Sequence, residues 1–260
     1  MLTIAAIVVI GFPLLMYFAQ DSLIFHPQPL SEQQRAAFAL RGSVHSLYTE
    51  ADDGTRLHAW QVDGKKPSTL VMYFGGNAEE VSWMLDQVTR HAPDASWLLV
   101  DYRGYGSSQG SPSEAALVAD AVRWYHEVRP GADRIYVFGR SLGSGVAVQL
   151  AALQPVDGVI LVTPYDSMVE VGQHHYPFLP VDWMLRHRFD SVQRAPKVQA
   201  PLLCLVAGRD EIIPMAHSRR LYEAWGGQKQ WVELAGAGHN STDGAPLFWS
   251  AIRGFLEKKT

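Results

Sequence analysis

The chain has 260 residues, of which 47% are hydrophobic and 18% are charged, and its formal net charge is −4. These values are typical of one globular domain with a short appendage, and the scattered Lys and Arg residues exclude the clustered basic surface that a nucleic-acid partner requires. The single cysteine, Cys204, excludes an intrachain disulfide and the usual cysteine-containing zinc sites.

The N-terminus is an uncharged, almost wholly apolar stretch, MLTIAAIVVIGFPLLMYFA. As a helix it would be roughly 28 Å long, close to the roughly 30 Å hydrocarbon core of a bilayer. No Lys or Arg precedes Arg35 and no small-residue cleavage site is evident, so an anchor is favoured over a cleaved signal peptide or a soluble or interfacial helix. The sequence therefore predicts a membrane-anchored protein with a single N-terminal span over residues 1–20, on an undetermined side of the membrane.

Residues 21–43 form a polar connector that contains Pro27, Pro29 and a short helix beginning at Ser31. From residue 44 onward, short apolar runs alternate with amphipathic stretches, which is the signature of βαβ units. The predicted strands are 44–50, 57–62, 69–74, 97–101, 134–138, 158–162, 201–207 and 230–234. The predicted helices are 77–90, 113–128, 142–153, 215–225 and 244–257.

Asp52-Asp53-Gly54 is a hairpin turn signal, so the first two strands are predicted to be antiparallel at one edge. The later strands are near-continuous apolar runs, as expected for strands buried on both faces. The sequence thus predicts an α/β fold over residues 44–260, with a mostly parallel central sheet of about eight strands and helices on both faces.

Residues 163–198 interrupt the alternation with a proline-punctuated segment rich in aromatic residues. The segment is too long to be a simple connection, and long loops in compact domains usually have a functional role. A short lid over the active site is the favoured interpretation, and an ordinary crossover with a helix is the alternative.

The strongest local motif is Gly139-Arg140-Ser141-Leu142-Gly143, which follows an apolar strand and opens a helix. In that context G-x-S-x-G is typical of a nucleophile elbow, a strained strand-to-helix turn that exposes a serine hydroxyl. Asp210 follows a later strand and His239 lies in a glycine-rich turn after the last one, in the chain order Ser, acid, His. A serine needs a base, and the base needs a carboxylate that fixes its tautomer. Ser141, Asp210 and His239 are therefore the predicted catalytic residues.

An oxyanion hole is predicted from two backbone N–H groups, those of Leu142 and Asn77. Leu142 follows the nucleophile, and Asn77 lies in the Gly75-Gly76-Asn77 loop after the third strand. A purely structural alternative is that the glycines make a tight turn and Asn77 caps the next helix.

These motifs resemble the α/β-hydrolase superfamily, and within it the small membrane-tethered serine hydrolases that include protein depalmitoylases. The resemblance covers the chain from about residue 21 and extends to DYRGYGSSQG at 101–110, Phe189-Asp190-Ser191, and GAGHN around His239. Relatives often carry His-Gly-Asn where this chain has Gly75-Gly76-Asn77, so the loop is expected to be supported differently. The DYRGYG stretch itself suits a tight structural turn.

The predicted function is hydrolysis of a carboxylic ester or thioester with a hydrophobic acyl group, through an acyl-enzyme and without a cofactor. The partners expected are an ester substrate and a membrane. The predicted substrate contacts are Tyr165, Tyr176, Phe178, Leu179 and Trp183. A metal site is not predicted, because His174-His175 has no third ligand at a recognisable spacing.

Two other functions remain open from the sequence. One is a serine peptidase that resembles the prolyl-oligopeptidase group, which shares the fold and the triad. The other is a membrane-tethered binding protein without catalysis, since a fold does not fix a function.

Overall fold

The computed structural model describes residues 11–258, and a single sheet organises them. Its strands are β1 (Val44–Glu50), β2 (Arg56–Val62), β3 (Lys66–Phe74), β4 (Ala95–Asp101), β5 (Arg134–Arg140), β6 (Gly158–Val162), β7 (Leu202–Ala207) and β8 (Lys229–Leu234). Their order across the sheet is β1-β2-β4-β3-β5-β6-β7-β8. β1 pairs with β2 and β2 with β4 in antiparallel fashion, and all other pairs are parallel.

The sheet confirms the predicted fold class, including the antiparallel hairpin at one edge. Gly54 makes its turn with a positive φ of 80°, which glycine adopts without strain. Three strands are longer than predicted by two residues or more: β3 and β4 begin at Lys66 and Ala95, and β5 continues to Arg140.

The helices lie on both faces of the sheet. They are α1 (Phe12–Ile24), α2 (Glu32–Ala39), α3 (Met84–His91), α4 (Glu114–Val128), α5 (Leu142–Leu153), α6 (Met168–His175), α7 (Val181–Met184), α8 (Ser191–Arg194), α9 (Met215–Ala224) and α10 (Phe248–Glu257). Alternate side chains of β3 enter different cores: Leu70 and Met72 pack with α4 and α5, whereas Val71 and Tyr73 pack with α3 and α10. This alternation follows from the period of two along a strand.

Two helices begin later than the sequence predicted. The helix expected from residue 77 starts as a 3-10 turn at Val81, because the Glu80 side chain accepts a hydrogen bond from the Ser82 N–H at 3.0 Å and caps the helix there. The last helix begins at Phe248, since residues 239–244 form a separate 3-10 turn. Both differences shorten helices next to the candidate site.

The segment predicted as a lid consists of α6, α7 and α8 joined by short loops. The Ser167 side chain caps α6 by accepting a hydrogen bond from the Glu170 N–H at 3.1 Å. Phe189 is fully buried and anchors the end of this segment in the core below α5.

The predicted membrane anchor is wrong. Among residues 11–258, no helix combines the length and the apolar character needed to cross a bilayer. The C-terminal part of the predicted span lies in α1, and residues 1–10 lie outside the described residues.

The contacts of α1 give the physical reason why the prediction of a membrane anchor fails. Its Gln20 side chain is buried and hydrogen-bonds the backbone of the lid segment at Met184 and Arg186. Asp21 forms ion pairs with Arg186 and His187, at 2.8 and 2.9 Å. The helix therefore packs through polar contacts on the domain that is built around the sheet, and the localisation predicted from residues 1–20 does not hold.

Candidate active site

Ser141 lies between the last residue of β5 and the first residue of α5, in a strained backbone conformation with φ 50°. Two glycines make this turn possible. A Cβ on Gly139 would lie 2.3 Å from the Gly143 carbonyl oxygen, and a Cβ on Gly143 would lie 2.1 Å from the Phe74 carbonyl oxygen. Both contacts are too short for any side chain, so the glycines of the G-x-S-x-G motif are required by packing. The result is a serine held at a helix N-terminus, where the helix dipole favours negative charge.

The structure brings Ser141, His239 and Asp210 into one hydrogen-bonded chain. His239 Nε2 lies 2.9 Å from Ser141 Oγ, and His239 Nδ1 lies 2.9 and 3.0 Å from the two Asp210 carboxylate oxygens. Asp210 Oδ1 also accepts the backbone N–H groups of Ile212 and Ile213 at 3.0 and 2.7 Å. The backbone of the loop after β7 thus fixes the orientation of the Asp210 carboxylate towards His239.

These contacts assign the tautomer of His239. A carboxylate only accepts hydrogen bonds, so the proton of the neutral ring lies on Nδ1, towards Asp210. Nε2 then carries a lone pair and accepts the Ser141 hydroxyl hydrogen. The His239 side chain is buried, so bulk water has little access to its ring.

A cleft of about 470 Å³ opens at Ser141 and His239. The loop after β3 forms one side of it, with Gly76 so close that a Cβ there would lie 3.7 Å from the Ser141 Cβ. Asn77 also lines the cleft, and Leu142 is the first residue of α5. The Asn77 side chain accepts a hydrogen bond from the His26 N–H at 3.1 Å, which ties the N-terminal connector to this loop.

The Gly76 N–H is not free to bind an oxyanion. It donates a hydrogen bond of 2.7 Å to the Glu79 carboxylate. The N–H groups of Asn77 and Leu142 stay the oxyanion donors predicted from the sequence.

Glu79 is a residue beside the candidate site that sequence reasoning missed. Its largely buried carboxylate accepts hydrogen bonds from the Tyr73 hydroxyl and from Trp83 Nε1, the latter at 2.9 Å, in addition to Gly76 N–H. Burial raises the pKa of the Tyr73 phenol well above its usual range, so Tyr73 keeps the proton that it donates. One feature of the sequence could have indicated Glu79. Gly75 stands where the family resemblance leads one to expect a histidine, so the loop needs another support, and Glu79 follows four positions later.

The residues predicted to contact substrate are dispersed. Tyr165 is buried, and its hydroxyl donates to the Leu142 carbonyl at 3.2 Å. Tyr176 and Leu179 line an apolar cavity beside the cleft. Phe178 and Trp183 are 71% and 88% exposed, and they line neither this cavity nor the cleft at Ser141.

A second Ser-His-Asp arrangement occurs at the antiparallel edge of the sheet. Ser46 Oγ lies 2.7 Å from His58 Nε2, and His58 Nδ1 lies 2.7 Å from Asp101 Oδ2. Sequence reasoning interpreted the DYRGYG stretch as structural but did not find this cluster, because Ser46 and His58 belong to no motif.

The contacts of the second cluster indicate a structural role. Asp101 accepts the Ser107 N–H at 2.8 Å, and a Cβ on Gly106 would lie within 1.9 Å of the Asp101 carboxylate. Ser46 lies in the middle of an extended strand, whereas Ser141 lies at a helix N-terminus in a strained turn. The cluster therefore fastens the turn that follows β4 to the β1–β2 hairpin.

The chain is similar in sequence and in structure to several known proteins. A sequence profile described as the alpha/beta hydrolase fold matches residues 74–194. An uncharacterised protein of Mycobacterium tuberculosis, Rv2307c, is 36% identical over 97% of this chain and 92% of its own length. The lysophosphatidylserine lipase ABHD12 of Danio rerio is 34% identical, in a match that covers 69% of this chain and 58% of the lipase. Among solved structures, an acetyl xylan esterase of Paenibacillus sp. R4 superposes with a TM-score of 0.69 at 18% identity, covering 92% of this chain and 98% of that one.

Proposed function

Because this chain belongs to the α/β-hydrolase superfamily and is an ester hydrolase, we propose that it works through an acyl-enzyme on Ser141, with His239 as the base and Asp210 as the orienting acid. The observation that carries the proposal is the continuous hydrogen-bond chain Ser141–His239–Asp210 at the mouth of a cleft. The preferred substrate is an ester or thioester of an apolar carboxylic acid.

In the first half-reaction, Ser141 Oγ attacks the carbonyl carbon while His239 Nε2 takes the hydroxyl proton. The negative charge moves to the carbonyl oxygen, where the Asn77 and Leu142 N–H groups and the N-terminus of α5 stabilise it. The carbon–oxygen or carbon–sulfur bond then breaks, and the leaving alcohol or thiol takes the proton from His239. In the second half-reaction, a water molecule gives its proton to His239 and attacks the acyl-enzyme, which releases the acid and returns the proton to Ser141.

Asp210 assists both half-reactions by orienting His239. Its carboxylate holds the Nδ1–H tautomer and stabilises the imidazolium that forms when Nε2 is protonated. The N–H groups of Ile212 and Ile213 prevent the carboxylate from rotating away from the ring.

The test is covalent labelling of the full-length protein with a fluorophosphonate probe, together with Ser141→Ala and His239→Ala variants. The expected result is labelling of the wild type, none in Ser141→Ala, and a strong decrease in His239→Ala. Equal labelling of the wild type and Ser141→Ala would exclude Ser141 as the nucleophile. Turnover of aminoacyl amides without turnover of p-nitrophenyl esters would favour a peptidase instead.

A further inference from the structure

An apolar cavity of about 240 Å³ lies between α1 and the lid helices α6 and α7. Five residues of α1 form one wall, namely Met16, Tyr17, Gln20, Leu23 and Ile24. The opposite wall comes from the lid and includes Val171, Leu179 and Met184. The N-terminal helix therefore encloses space that the hydrolase-like domain alone leaves open.

The polar groups of Gln20 are already occupied. Its Nε2 group donates to the carbonyl oxygens of Tyr17 and Met184, at 2.7 and 3.2 Å, and its Oε1 atom accepts the Arg186 N–H at 2.7 Å. His175 Nε2 likewise lies 2.8 Å from the Ile212 carbonyl oxygen, to which it can only donate. Because these groups are satisfied, the cavity offers a ligand mainly hydrocarbon surface.

The cavity adjoins the catalytic cleft at two places. His175 lines the cavity and hydrogen-bonds Ile212, which lines the cleft with Ser141. Ile24 lines the cavity, and two residues later the His26 N–H donates to the side chain of Asn77 in the oxyanion loop. His175 and Ile212 therefore lie at the boundary between the cavity and the cleft.

We propose that the cavity is the acyl-chain site of the enzyme and that α1 is a substrate-binding element. This inference rests on the proposed ester hydrolysis at Ser141. The ligand is a single linear hydrocarbon chain of medium length, since the volume is below the roughly 300–1,000 Å³ typical of sites for larger ligands. Burial of each methylene group there favours binding by the hydrophobic effect, while the cleft retains the polar part of the substrate.

The experiment compares p-nitrophenyl octanoate with p-nitrophenyl acetate in four proteins: wild type, Met184→Trp, Met184→Ala and Leu14→Trp. Met184 is half-buried in the cavity wall, so a tryptophan there fills the space, and an alanine enlarges it. Leu14 is exposed on α1 and does not line the cavity, which makes Leu14→Trp the matched control. The readout is the ratio of kcat/KM for the two esters, because a loss of folded protein cancels in the ratio.

The wild type is expected to prefer the octanoate, and Met184→Trp is expected to lower the octanoate-to-acetate ratio about tenfold. Met184→Ala should shift the preference towards dodecanoate, and Leu14→Trp should match the wild type. Identical ratios in all four proteins would overturn the proposal, even with full ester turnover.

A second arm separates this inference from the proposed function. Octanoate binding is measured by calorimetry on Ser141→Ala, alone and combined with Met184→Trp. Binding that Met184→Trp abolishes supports the cavity as a chain site, even if the wild type shows no Ser141-dependent turnover and the proposed function fails. Binding that Met184→Trp leaves unchanged places the chain elsewhere and overturns the inference.

Discussion

The Glu79 carboxylate accepts the Gly76 N–H at 2.7 Å, directly beside the nucleophile. This contact joins a largely buried acidic side chain to the loop that carries Asn77. The same carboxylate is held by Tyr73 and Trp83, so its position is determined by the core and not by solvent.

Glu79→Gln is therefore expected to lower kcat by about 10- to 100-fold with little change in KM. An amide has one acceptor oxygen and places an NH₂ donor against other donors, which displaces the loop by a small distance. Loss of a whole oxyanion donor costs about 10²–10³ in kcat, and a displaced donor costs part of that. Steady-state kinetics on a short ester gives the kcat and KM values.

Glu80→Gln is the matched control for this prediction. Glu80 lines the same cleft, but its carboxylate accepts hydrogen bonds from Ser82 and not from Gly76. The expected decrease in kcat is much smaller than for Glu79→Gln. Equal decreases in the two variants would show that Glu79 does not position the loop.

Asp210→Asn is expected to lower kcat by about 10³–10⁴ while the protein stays folded. The amide can donate to Nδ1, which places the imidazole proton on Nε2 and removes the base from Ser141. Asp86→Asn, an exposed carboxylate paired with Arg41, is the control. Pre-steady-state acylation measures the effect directly, and acylation at the wild-type rate would remove Asp210 from the mechanism.

The fold could be predicted from the sequence because its signals are local. Near-continuous apolar runs such as those of β5 and β7 mark strands buried on both faces, and Asp52-Asp53-Gly54 marks the hairpin. The sequence also indicated the residues of the candidate triad. Each of them follows the carboxyl end of a strand, which is where open α/β sheets bind their ligands.

The rest depends on contacts that no motif encodes. The Ser46–His58–Asp101 cluster has no periodic or motif signal, because its members meet only when β1, β2 and β4 pair in the sheet. The partners of Glu79 are close to it in the chain, but the folded shape of the loop after β3 brings them together. The apolar character of α1 predicted a membrane span, yet hydropathy does not encode that Gln20 bonds to a segment more than 160 positions later.

The second Ser-His-Asp cluster gives a further prediction. Ser46→Ala should retain fluorophosphonate labelling and ester turnover, because the cluster fastens a turn and lies outside the cleft. His58→Ala should lower the free energy of unfolding by about 1–3 kcal/mol, since it removes the His58 donor from the buried Asp101 carboxylate and leaves it with the Ser107 N–H described above. Denaturant titration of the two variants tests this, and loss of labelling in Ser46→Ala would assign the chemistry to the edge cluster.

Cys204 should be unreactive in the native protein. It lies in the middle of β7, and burial raises the pKa of its thiol. A higher pKa means less thiolate at a given pH, so alkylation by iodoacetamide should stay slow at neutral and mildly alkaline pH and become rapid only in concentrated guanidinium chloride. Mass spectrometry follows the modification, and rapid native alkylation with loss of ester turnover would point to a thiol nucleophile.

Gln20→Ala tests whether α1 is part of the folded domain. The substitution removes the hydrogen bonds that join α1 to Met184 and Arg186, and it leaves the Arg186 N–H without its acceptor. Each unsatisfied group of this kind costs about 1–3 kcal/mol, so the melting temperature should fall by several degrees. Gln33→Ala, on the exposed face of α2, should melt as the wild type does. If Gln20→Ala also melts as the wild type does, α1 contributes no stability through the lid, and its packing there is not maintained in solution.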